Sequence, residues 1–254
     1  MRVIRPAQPP DGRRRALLPA MAMLFVGAVA ATMLAFVPSS SPNAVAALGI
    51  AAALGLGIGG AYVLRSLQRT PQRRLADDLA ALLGPSFDDS YALVVQPHLP
   101  GVPADLAALL VGPAAARALI VRDWDGRYRV RGRSWDYHTR GRRGWISCRT
   151  NPSFEAGRVN QAVVRWAQQA DLPLHLQIEP AIVFPERHSR VVLEEPDEEI
   201  VTADNAPWWA QRIGKLQRLD PADVARVVDA VMTASERLHQ RAAAAAPSTV
   251  PESR

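Results

Sequence analysis

Residues 91–121 read YALVVQPHLPGVPADLAALLVGPAAARALIV. Three short apolar runs, 91–95, 106–111 and 118–121, are separated by proline and glycine, and that length and punctuation predict strands. A fourth run follows at 127–130. Upstream, 75–83 reads as an amphipathic helix with Leu75, Leu79, Leu82 and Leu83 at helical spacing, closed by Gly84-Pro85. Downstream, Asn151-Pro152 opens a helix over 154–169 with Val159, Val163, Val164 and Trp166 as its stripe. The proline-bounded run 181–184 is a buried strand, and 190–193 and 199–201 are shorter strands around an acidic turn. Asp220-Pro221 starts a last helix, with a capping aspartate, proline at the first helical position, and Val224, Val227, Val228 and Val231 as its apolar face. Strands, then a helix, then a strand again give an α/β class.

Ahead of this lie two uncharged runs, 16–37 and 44–64, between arginine clusters at 2–15 and 65–74. At about 1.5 Å rise per residue each is long enough for one bilayer crossing. The connecting stretch 38–43 has no basic residue, so the positive-inside rule puts both termini in the cytoplasm. The expectation is a multi-pass inner-membrane protein of a bacterial type. Its segments are a basic cytoplasmic N-terminus 1–15, transmembrane helices 16–37 and 44–64, an external loop 38–43 and a basic juxtamembrane linker 65–74. A cytoplasmic domain 75–237 and a disordered tail 238–254 follow. An export signal fits less well, because its apolar region is about 7 to 15 residues and a second long run follows at once. Ala51, Gly55 and Gly59 recur every four residues and allow close helix approach. That face packs either on the first helix of the hairpin or on a second copy, which would make a homodimer.

Composition narrows the chemistry. The 254 residues carry a formal charge of +6, with Lys215 the only lysine and Cys148 the only cysteine. One cysteine leaves neither an intramolecular disulfide nor a cysteine-based zinc site. Histidines 98, 138, 175, 188 and 239 form no close pair with ligand spacing, and there is no phosphate-binding or dinucleotide glycine loop. The acidic stretch Glu194, Glu195, Asp197, Glu198 and Glu199 reads as a solvated turn. Pro207-Trp208-Trp209 reads as core or interface material.

The order of features from 75 to 231 resembles the nuclease-related domain, NERD, a branch of the restriction-endonuclease-like fold. The residues that carry the likeness are the leading helix, Gln96-Pro97-His98-Leu99-Pro100-Gly101, Leu109-Leu110-Val111-Gly112-Pro113, Ala118-Leu119-Ile120-Val121-Arg122, Trp124 and Gly126, Trp135, Asn151-Pro152, and Phe184-Pro185. The resemblance implies a restriction-endonuclease-like α/β domain behind the transmembrane hairpin. In members that keep the nuclease pattern, an Ile-Asp-His precedes the Gly-Pro strand and a Glu-x-Lys ends the next. Here those positions fall on Ala107 and Ala108, and on Ile120 and Arg122. Neither alanine nor isoleucine can hold Mg²⁺. Asp105 is the remaining candidate ligand, and Arg122 keeps the positive charge.

Nine arginines, at 122, 127, 129, 131, 133, 140, 142, 143 and 149, stand against three aspartates between 122 and 149, interleaved with Trp124, Tyr128, Trp135, Tyr137 and Trp145. Arginine forks suit phosphates and aromatic faces suit bases. Arg127, Arg129, Arg131 and Arg133 alternate onto one strand face, and Arg142 and Arg143 extend it. The face fits nucleic acid, anionic lipid, or solvent alone. The functional expectation is a membrane-held binding or scaffolding module without cofactor. Its alternatives are a divergent Mg²⁺-dependent DNA nuclease using Asp105, and an assembly protein acting through the hairpin.

Overall fold

The computed structural model describes residues 1–6, 12–36, 42–67, 71–114, 116–139, 144–173, 177–186, 188–215 and 219–245. The chain divides into two compact units, 8–71 and a second that combines 1–7 with 72–254.

The larger unit is built on a six-stranded mixed sheet in the order β1-β2-β3-β4-β8-β10. Its strands are β1 (Arg2–Ile4), β2 (Ala92–Val95), β3 (Ala108–Val111), β4 (Ala116–Val121), β8 (Ile178–Phe184) and β10 (Glu199–Thr202). β2, β3 and β4 form an antiparallel meander; β8 then returns parallel to β4. The crossover from β4 to β8 contains α4 (Pro152–Gln169). Its start is local: the Asn151 side chain accepts from the Ser153 N–H at 3.0 Å, and Pro152 stands where no N–H is needed.

Alternation along each strand splits the core in two. Val94, Leu109, Val111, Ile120, Ile182 and Phe184 face one side with α4 and α6 (Pro221–Ala245). Leu93, Val95, Leu110, Leu119 and Val183 face the other with α3 (Pro71–Leu83) and α5 (Ala206–Ile213). Cover on both faces explains why these strands read as unbroken apolar runs rather than alternating ones.

A second, four-stranded sheet has the order β7-β6-β5-β9. It comprises β5 (Gly126–Gly132), β6 (Ser134–His138), β7 (Trp145–Ser147) and β9 (Ser189–Pro196). Its inner face reaches the core through Val130 and Trp135. Trp135 stacks on Phe184 at 5.8 Å and donates from Nε1 to Ser153 Oγ at 2.9 Å. Trp124 meets both rings, at 5.8 and 6.1 Å. Of the five aromatics interleaved with the arginines, Trp135 is therefore a core residue and Trp124 packs half-buried against the core.

The smaller unit holds α1 (Gly12–Leu34) and α2 (Pro42–Leu67), packed on each other. The expected transmembrane hairpin is overturned: among the described residues no helix is long and apolar enough to cross a membrane. α2 takes Arg65 in near its end, beyond the uncharged run. α1 takes Arg13, Arg14 and Arg15 into its first turn. The inner-membrane, multi-pass placement and the cytoplasmic assignment of the termini fall with the spans.

The small-residue face packs within the hairpin. A Cβ on Gly55 would lie 2.5 Å from Gly27 Cα, and one on Gly27 would lie 2.6 Å from Leu56 N. Ala52, Gly55 and Gly59 are buried and Ala51 is half-buried.

Other boundaries shift. β1, β6 and β7 were not anticipated, being short or polar on one face. α6 continues to Ala245, beyond the expected tail boundary at 238.

Candidate functional site

The outer face of the second sheet collects the residues that the arginine pattern singled out. On β5, Val130 turns into the core, which leaves Arg127, Arg129 and Arg131 facing outward. Register then sets the neighbours: Arg127 beside Arg190, Arg129 between Asp136 and Val192, and Arg131 between Ser134 and Glu194. On the far strands Ser147 adjoins Asp136, and Trp145 adjoins His138.

The arginines are not equivalent. Arg129 pairs with Asp136 at 2.8 Å and Arg131 with Glu194 at 2.8 Å. Between Arg131 and Gly132 the register shifts, and Gly132 takes φ +54°, a conformation that glycine adopts without strain. The shift carries Arg133 to Asp197 and Glu198, at 3.3 and 3.2 Å. These carboxylates cancel the field at that end. At the other end, Arg127 and Arg190 are exposed and have no ion pair among the described residues. The Arg127 and Arg129 guanidinium carbons lie 5.6 and 4.8 Å from the Trp145 ring centre, and His138 meets that ring edge-on at 5.4 Å. The face therefore grades from a cationic, aromatic end to an acidic, neutralised one. Arg142 and Arg143 lie outside the described residues.

The nuclease-like positions are elsewhere. Ile120 is fully buried in the α4-side core, and Ala107 is half-buried, its N–H donating to Leu119 O at 2.9 Å. Apolar packing surrounds Ile120, and neither side chain carries an oxygen ligand. Asp105 and Arg122 do come near each other, but α4 supplies a counter-charge to each. Asp105 pairs with Arg158 at 2.7 Å, and Arg122 pairs with Glu155. Burial pushes the Arg122 guanidinium below its ordinary value, while Asp105 pulls the other way. Among the described residues no group of three or more His, Cys, Asp or Glu could hold a metal ion.

A second polar cluster was missed in the sequence. Arg117 is 2% exposed, and its Nε and Nη2 donate to Glu199 at 2.8 and 3.3 Å. Nη2 also reaches Glu179 at 2.8 Å, and Nη1 donates to Ala116 O at 3.1 Å. Glu199 further accepts from Trp209 Nε1 at 2.8 Å and Arg212 Nη2 at 2.7 Å. The available signal was the single arginine inside an otherwise apolar strand. In the acidic stretch read as a solvated turn, Glu194, Asp197, Glu198 and Glu199 are ion-pair partners, with Glu199 as the hub, while Glu195 is exposed. Of the adjacent tryptophans, Trp209 is core and Trp208 is 62% exposed.

Compared with known proteins, the chain matches no family model, no curated protein and no solved structure.

Proposed function

We propose that this chain is a binding module without catalysis, on a degenerate nuclease-related scaffold, that holds single-stranded nucleic acid against the outer face of its second sheet. The observation that carries this reading is the unneutralised couple Arg127 and Arg190, with Trp145 5.6 Å from the Arg127 guanidinium. Guanidinium groups free of carboxylates pair with phosphates, and an indole offers a base a stacking partner. The nuclease alternative is weaker because Asp105 and Glu155 each take an arginine. Assembly through the small-residue face is weaker because Gly27 occupies it at Gly55.

Fluorescence anisotropy of the full chain with a single-stranded oligonucleotide across a salt series tests the reading. Trp145→Ala is expected to weaken binding by roughly 5- to 150-fold, the equivalent of about 1–3 kcal/mol for one stacked base. Arg127→Ala with Arg190→Ala should lower the log-log salt slope by about 1.4, for two lost phosphate contacts at roughly 0.7 each. Arg131→Ala, at the neutralised end, should change little. Equal affinity in wild type and the double variant would sink the proposal, and binding to anionic vesicles alone would reassign the face to lipid headgroups.

A further inference from the structure

Among the described residues the two sheets end on β1, β10, β7 and β9. The first three have three or four residues each, which leaves little edge to pair with, whereas β9 has eight. β9 pairs with β5 on one side. On its other side, alternate backbone N–H and C=O groups have no strand to bond among the described residues. Val192 and Leu193 are 36% and 38% exposed, so this edge is apolar at its centre. The ladder is regular from Ser189 to Glu194; Glu195 then takes φ +48° and the register breaks.

That regular stretch is complementary to its own reverse. Arg190, Val191, Val192, Leu193 and Glu194 run from a cation through three apolar residues to an anion. Laid antiparallel against a second copy with Val192 opposite Val192, Arg190 of each chain falls opposite Glu194 of the other, and Val191 opposite Leu193. Residues directly opposite in an antiparallel pair lie on the same side of the sheet. Arg190, Val192 and Glu194 share the outer face with Arg127, Arg129 and Arg131, their neighbours on β5. A two-fold axis through Val192, perpendicular to the sheet, therefore makes both charge pairs at once and keeps the outer faces together. Charges on an open edge ordinarily deter pairing. Here they select one register, because a slip of two residues sets Arg190 against Val192 or Pro196 instead of a carboxylate.

We infer that β9 is the interface of a homodimer, in which two copies of this chain join their four-stranded sheets edge to edge. The inference goes beyond the nucleic-acid reading and does not rest on it. Across the junction, Arg127 and Arg190 continue into Glu194 and Arg131 of the second copy, and three arginines against one glutamate keep that row cationic. Light scattering of the full chain over a dilution series, without nucleic acid, tests the inference. Wild type is expected at the dimer mass. Arg190→Glu opposes glutamate to Glu194 twice, and Glu194→Arg opposes arginine to Arg190 twice. Each variant alone should raise the dimer dissociation constant at least about tenfold. Mixed in equal amounts, the two should return to the wild-type dissociation constant, because every glutamate then meets an arginine of the other chain. Misfolding of either variant would not produce that recovery. A monomeric wild type overturns the inference, as does a dimer that neither substitution weakens, or a mixture that stays monomeric.

Discussion

Replacing Glu199 with alanine is expected to destabilise the larger unit by about 3–5 kcal/mol, the range for stranding one member of a buried ion pair. Arg117 is almost wholly buried, and its remaining partner, Glu179, is half exposed. The same change leaves the buried Trp209 Nε1 without its acceptor. Urea unfolding should show a lowered midpoint with an unchanged slope, because the surface exposed on unfolding is the same. Arg117→Met should cost less. It takes the buried charge away together with its need for compensation, and Glu199 keeps Trp209 and Arg212. Arg131→Ala, which breaks an exposed pair, should stay within about 1 kcal/mol. A loss below about 1 kcal/mol for Glu199→Ala would mean that Arg117 does not depend on that carboxylate.

Gly55→Leu is the second large effect. The new Cβ would meet Gly27 Cα at 2.5 Å, Gly27 N at 2.7 Å and Met23 O at 2.7 Å. All three are backbone atoms, so no rotamer change relieves the clash and α1 and α2 must separate. Overpacking of this kind costs about 3 kcal/mol, on the order of 100-fold in the opening equilibrium. Amide hydrogen exchange across α1 and α2 should rise accordingly. Gly57→Leu is the control, because a Cβ there meets nothing within 4 Å. Equal exchange in the two variants would show that the Gly27–Gly55 approach does not hold the helices together.

Much of the larger unit was legible because its signals are local. Prolines and glycines punctuate β2, β3, β4 and β8, and Asn151-Pro152 and Asp220-Pro221 mark helix starts through hydrogen bonds spanning two residues. β6 and β7 escaped because their outer residues, Asp136, His138 and Ser147, break the apolar pattern that strands are recognised by. The hairpin was misread for a related reason. Counting uncharged residues sets the length of a run but leaves out the arginines that the helices take in at their ends.

The candidate site was half legible. Alternation put Arg127, Arg129 and Arg131 on one strand face, since a period of two is a property of the strand alone. What could not be read from the chain is which of them stay free. Asp136 is seven residues from Arg129, and Glu194 is 63 from Arg131. Only the pairing of β5 with β6 and β9 brings those carboxylates up and leaves Arg127 beside Arg190. The buried hub lies at the same limit, because Arg117 and Glu199 are 82 residues apart. The sequence by itself determined most elements of the larger unit, their order and the spacing of charges along each, because these follow from backbone geometry and near neighbours. Only the tertiary structure decided which charges are neutralised and which are buried, because Coulomb and hydrogen-bond energies depend on distances between strands far apart in the chain.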